Sequence, residues 1–180
     1  MNALVLACWI LWAAVWAVGW VAGAMRGPRT VRSTSGWSLW LGLAVYAMLR
    51  YLPYRPMVLL PWLAPVGAVL LIAGTAFTLW ARWVLGGMWS SAPGVKAGHE
   101  LRTTGPYALT RHPIYTGMLA MLLGTALIDG GVTLAVFAAV CVYMVFKMRE
   151  EERLMAETFG EQYTAYRRRT PQVIPGLRPR

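Results

Sequence analysis

Apolar residues fall into five long runs separated by short polar segments. Met1–Met25 and Met57–Ala81 carry no charged side chain, and neither do the shorter runs Ser33–Leu49, Pro113–Ile128 and Gly130–Phe146. A helix needs roughly 20 apolar residues to cross a bilayer. The first and third runs meet that length, and the other three cross if lipid thins or flanking side chains snorkel. The pattern predicts an all-α integral membrane protein of about five transmembrane helices. The breaks are local. Gly27-Pro28 ends the first helix, Pro53 the second (about Trp37–Leu52) and Gly86-Gly87 the third (about Pro61–Leu85). The fourth begins at Pro113, since proline suits a first helical position. Asp129-Gly130-Gly131 reads as a tight turn, so the fourth and fifth helices form a hairpin. The fifth meets no Gly or Pro before Gly160, which predicts one helix running from lipid into water. A short helix over Glu161–Arg168 follows, with Tyr163 and Tyr166 on one side. The chain reads as one membrane domain, with N-terminal helices over 1–87 and a polar-capped half over 88–180.

Composition agrees with this pattern. Of 180 residues 58% are hydrophobic and 13% charged, about half the charge of a soluble domain. Mean hydropathy is +0.50. Charge placement then fixes a topology. With the N-terminus outside and the C-terminus cytoplasmic, 15 of the 17 Lys and Arg residues lie inside, and only Arg50 and Arg55 lie outside. The net charge of +10 is therefore a topogenic signal, and no nucleic-acid partner is expected. Met1–Met25 has no basic start and is too long for a cleaved signal, so it reads as a retained anchor. Trp9, Trp12, Trp16 and Trp20 recur at helical spacing as a stripe for packing against neighbouring helices. Cys8 and Cys141 have no partner spacing, and no metal site is expected.

Polar chemistry gathers at two places on the inner face. One is Gly105–Gly117, at the mouth of the fourth helix; the other is Arg149–Arg153, at the exit of the fifth. Ionisable groups this close to apolar spans are costly unless they serve a function. A helix start offers backbone N–H groups and a positive dipole end to an anion. His112 precedes a proline and is held out of helical geometry. Tyr107 and Tyr115 flank it with aromatic faces suited to a cation. Gly105 and Gly117 leave room for backbone approach. Lys147 and Glu151 lie one turn apart on one face: Glu151 is placed to hold a cofactor amine, and Lys147, with Arg149 nearby, an acidic substrate headgroup. No Gly-x-Gly-x-x-Gly occurs, which excludes a Rossmann cofactor fold.

The segment Gly-x-Tyr-x-x-x-Arg-His-Pro-x-Tyr-x-Gly at 105–117 is followed by Glu-Glu-x-x-Leu-x-x-x-x-Phe-Gly-x-x-Tyr-x-x-Tyr at 150–166. Together they resemble the isoprenylcysteine carboxyl methyltransferase family over about His99–Gly176. The Arg-His-Pro-x-Tyr-x-Gly element is also similar to parts of phospholipid methyltransferases and sterol reductases. The resemblance implies a membrane enzyme that binds S-adenosyl-L-methionine at the cytosolic face. It assigns the cofactor to His99, Glu100, Leu101 and Arg102, to Tyr107, to His112, Pro113, Ile114 and Tyr115, and to Glu151. It makes Glu151 and Lys147 the catalytic pair. The family has an arginine on the substrate carboxylate where this chain has Lys147, which keeps the charge and loses the bidentate fork. The expected partners are membrane lipids and a lipophilic or lipid-modified substrate entering from the bilayer. An NADPH-dependent membrane reductase and a non-catalytic membrane protein of the same fold are the competing readings.

Overall fold

The computed structural model describes residues 2–26, 30–33, 60, 62–86, 94–96 and 100–177. The expected second span, Trp37–Leu52, lies outside them. Helix α1 spans Ala3–Arg26 and helix α2 spans Leu63–Leu85, as their uncharged runs require. After a one-turn helix α3 at Pro106–Leu109 come α4 (Pro113–Asp129), α5 (Val132–Phe159) and α6 (Glu161–Arg169). The sequence did not suggest a two-stranded antiparallel ribbon, yet β1 (Thr30–Ser33) pairs with β2 (Gly94–Lys96). Between the Gly86-Gly87 break and Pro113, the described residues thus include a strand and a helical turn.

Among the described residues α1, α2 and α5 are long and apolar enough to cross a membrane, and α4 is a shorter apolar helix. At 1.5 Å per residue, the 17 residues of α4 reach only about 25 Å. The spans bury little inside the protein. Val18 is 69% exposed, Val69 66% and Phe146 60%, a burden that water would not tolerate over contiguous faces. These are lipid-facing surfaces.

The helix whose start carries the 105–117 chemistry, α4, is fixed by backbone contact. α4 packs chiefly on α2. Gly67 opposes Gly124 and Gly74 opposes Gly117, seven residues apart in both helices and in opposite order, so the pair is antiparallel. A Cβ on Gly124 would stand 2.5 Å from the Gly67 carbonyl, and one on Gly117 would stand 1.9 Å from the Thr78 hydroxyl. Close approach of small residues drives helix association where no hydrophobic effect operates. Gly117, expected to leave room for backbone approach, leaves it for the backbone of α2. Val5, Leu71 and Met121 form the core where α1 joins this pair. The tryptophan stripe packs only in part: Trp9 and Trp12 lie against this core and the Trp9 ring nitrogen donates to Thr125 at 3.1 Å, Trp12 stacks on Trp16 within α1 at 4.5 Å, and Trp20, expected on the same stripe, is exposed.

The predicted hairpin of α4 and α5 is present. Gly130 and Gly131 both take positive φ (62° and 53°), which a side chain would resist. α5 then runs unbroken for 28 residues. Its buried positions Val136, Val140, Met144, Met148 and Glu152 recur every fourth residue, joined by Leu154. The last two turns carry this stripe past the apolar run and over the start of α4.

Candidate active site

His112 sits at the α4 N-cap with φ −121° and ψ 60°, outside helical geometry as Pro113 demands. Its ring is buried between two consecutive carboxylates of α5. Nδ1 lies 3.6 Å from Glu151 and Nε2 lies 3.3 Å from Glu152. Burial alone would push the imidazole pKa down, but hydrogen bonding to Glu151 and then Glu152, with their charges, outweighs it and holds the pKa above its ordinary value. The Tyr115 ring stacks on His112 with centroids 5.6 Å apart and planes within 12°. Its hydroxyl donates to Glu151. Glu151 keeps 20% of its side chain exposed, so this carboxylate is braced on one side and open on the other.

Glu152 is the residue that motif reading missed. It accepts from Arg111 Nε at 2.8 Å and pairs with Arg111 Nη2 at 2.7 Å. Arg167 of α6 approaches its other oxygen at 3.6 Å. The available signal was periodicity, because Glu152 continues the every-fourth-residue stripe that is otherwise apolar.

The segment after α6 straps the start of α4. Arg111 N–H donates to Pro171 O at 2.9 Å and His112 N–H to Gln172 O at 3.1 Å. The Thr110 hydroxyl donates to Gln172 O at 2.6 Å, the Thr116 hydroxyl to Val173 O at 2.7 Å, and Arg111 Nη1 to Thr170 O at 2.6 Å. The strap's carbonyls thus occupy the N–H groups of Arg111 and His112, just before the helix begins at Pro113. Tyr107 is buried in α3, and its carbonyl accepts from the Tyr166 hydroxyl at 2.6 Å. Burial raises the Tyr107 phenol pKa well above its ordinary value, with Tyr166 and Glu151 adding to the shift.

The structure thus gathers Tyr107, His112, Pro113, Tyr115 and Glu151 at one end of the α4–α5 hairpin, with Pro113 fully buried and Ile114 half-buried. Glu100 and Arg102 pair with each other at 3.5 Å on the surface. Among the described residues, no hydrogen bond or ion pair ties Glu100, Leu101 or Arg102 to this group. His99 lies outside the described residues. Lys147 is half-buried on the Glu151 face without an ion pair among the described residues, whereas Arg149 is exposed.

Residues 62–162 match the family model described as "Phospholipid methyltransferase". The chain is 31% identical over 117 residues to a nickel-cobalt-cadmium resistance protein of Alcaligenes xylosoxydans xylosoxydans, covering 64% of this chain and 51% of that protein. It is 30% identical over 121 residues to protein-S-isoprenylcysteine O-methyltransferase of Rattus norvegicus, covering 65% and 43%. The chain spans about half the length of these relatives. In fold it is similar to a solved eukaryotic intramembrane isoprenylcysteine carboxyl methyltransferase, with a TM-score of 0.59, 22% identity and coverage of 82% of this chain and 55% of that one. The matched region takes in α2, the backbone-packed α4, the carboxylate pair on α5 and the histidine between them, so this integral membrane protein belongs to the phospholipid methyltransferase family.

Proposed function

We propose that the protein is an S-adenosylmethionine-dependent methyltransferase acting at the cytosolic membrane face on a lipophilic acceptor with a carboxylate or thiolate head. The observation that carries this reading is the Glu151 carboxylate, braced by Tyr115 and His112 and open on one side, where a membrane helix leaves the bilayer. The donor set suits the cofactor. An open carboxylate matches its amine, and the stacked Tyr115–His112 pair offers an aromatic edge to a cation. Glu151, Tyr115, His112 and Tyr107 would hold it, and Glu100, Leu101 and Arg102 are proposed as further contacts. When bound, S-adenosylmethionine supplies an electrophilic methyl group on a sulfonium.

The chain's own task is then positioning. An anionic acceptor needs no base to activate it, which accords with a site that has no Ser-His-Asp set. Fixing two reactants in line can lower a barrier by about 7–11 kcal/mol. Lys147, one turn nearer the membrane than Glu151, holds the acceptor head while its apolar tail stays in lipid. The surplus of inner-face basic residues supports a cytoplasmic C-terminus, with residues 1–87 anchoring the cofactor-binding half 88–180.

Thermal unfolding in detergent tests the reading. S-adenosylhomocysteine at 100 times its Kd should add about 2.7 kcal/mol, and Glu151→Gln should remove the effect. Stabilisation by NADPH alone would instead select the reductase reading, and response to neither would select a non-catalytic role. Transfer from labelled cofactor to a lipophilic acid or thiol completes the test.

A further inference from the structure

We propose that Tyr143 donates a hydrogen bond to the acceptor's anionic head beside Lys147, and that this pair selects anionic acceptors over lipid amines; the proposal rests on the methyl-transfer reading. Tyr143, Lys147 and Glu151 follow one another at four-residue intervals on α5, so they line one face. The Tyr143 hydroxyl is buried and has no hydrogen-bond partner among the described residues. Its ring packs on the Val136–Met148 cluster together with Tyr115, and the hydroxyl lies within electrostatic reach of Glu150, Glu151 and Tyr115, so Lys147 has to outweigh the two carboxylates.

A phenol in this position is expected to be paired. Buried tyrosine hydroxyls find partners, and hydrocarbon offers no water to stand in. One turn, about 5 Å, separates Tyr143 from Lys147, close enough for one small head to meet both. A hydroxyl donor next to an ammonium forms a site for a single negative charge. A lipid ammonium placed there would face Lys147, which rejects it by like charge. The tail of the acceptor then lies toward the bilayer, where Val142 and Phe146 on the adjoining face are lipid-exposed.

The test uses the full chain in detergent with three probes: S-farnesylthioacetic acid, farnesyl thiol and dodecylamine. Binding is read by tryptophan fluorescence without cofactor, and KM is read with it. Tyr143→Phe should raise Kd and KM for the acid, the thiol or both by at least about tenfold, the loss of one hydrogen bond to a charged group. Its Kd for S-adenosylhomocysteine and its Tm should match the wild type, which separates a head contact from a packing defect. The acid and thiol arms show which anion is used. Unchanged Kd for both anions, preferential binding of dodecylamine, or no binding of any probe by the wild type overturns the proposal. If an anion binds through Tyr143 but S-adenosylhomocysteine does not bind, the methyl-transfer reading falls alone.

Discussion

Arg111 and Glu152 form a buried ion pair at 2.7 Å, with side-chain exposures of 8% and 11%, that ties the start of α4 to the far end of α5. Removing one partner leaves the other charged and buried, which costs about 3–5 kcal/mol. Glu152→Ala should therefore lose stability on that scale in detergent unfolding. The double variant Arg111→Leu/Glu152→Leu should recover much of the loss. A Glu152→Ala protein as stable as the wild type would show that the pair is solvated.

The histidine between the carboxylates gives stability a pH dependence. Its pKa is raised above the ordinary 6.5 in the folded state, so the folded protein binds the proton more tightly than the unfolded chain does. The stabilisation is complete below about pH 6.5 and is lost as pH rises through the raised folded value. Tm measured upward from pH 6 should fall in that window, and His112→Gln should flatten the fall. A Tm that climbs with pH there would reverse the assigned sign.

Glycines on the α2–α4 seam should be intolerant and Gly19 permissive. An alanine at Gly124 meets the Gly67 carbonyl at 2.5 Å, and only helix separation relieves it. Overpacking of this kind costs about 1–3 kcal/mol. A Cβ at Gly19 meets the tip of the Arg82 side chain at 2.4 Å, and that tip can turn away. Gly124→Ala should lower Tm clearly and Gly19→Ala little; equal shifts would refute backbone contact as the cause.

Tyr115→Phe removes the donor that braces Glu151. One hydrogen bond to a charged group is worth about 1.5–3 kcal/mol. Affinity for S-adenosylhomocysteine should fall at least about tenfold in calorimetric titration, while Glu151→Gln should abolish binding. Full affinity in Tyr115→Phe would place the cofactor amine elsewhere.

Deleting residues 171–180 removes the carbonyl partners of the Arg111 and His112 amides. Hydrogen exchange at those amides should accelerate by about a hundredfold or more while the α1 amides keep their rates. Protection that survives the deletion would mean the strap is dispensable.

The charge-free runs alone located α1, α2, α4 and α5, because in lipid each span must satisfy its own backbone and a helix is the available solution; they bounded α1 and α4 closely, whereas α2 and α5 run on past theirs. Pro113, Gly130-Gly131 and Gly160 mark their breaks for reasons internal to the chain. Motif spacing likewise picked out His112, Tyr115 and Glu151, which the fold brings together. The strap was not legible, since nothing local indicates that carbonyls from Pro171 and Gln172 reach back to Arg111 and His112. What approaches Gly117 was open for the same reason: whether a glycine faces a ligand or another helix depends on the partner. Glu152 shows the division most clearly. Its phase on α5 already said that it would be buried, but a buried carboxylate is tolerable only beside a cation. Arg111, 41 residues earlier in the chain, becomes that cation only when the hairpin closes and the strap holds it there.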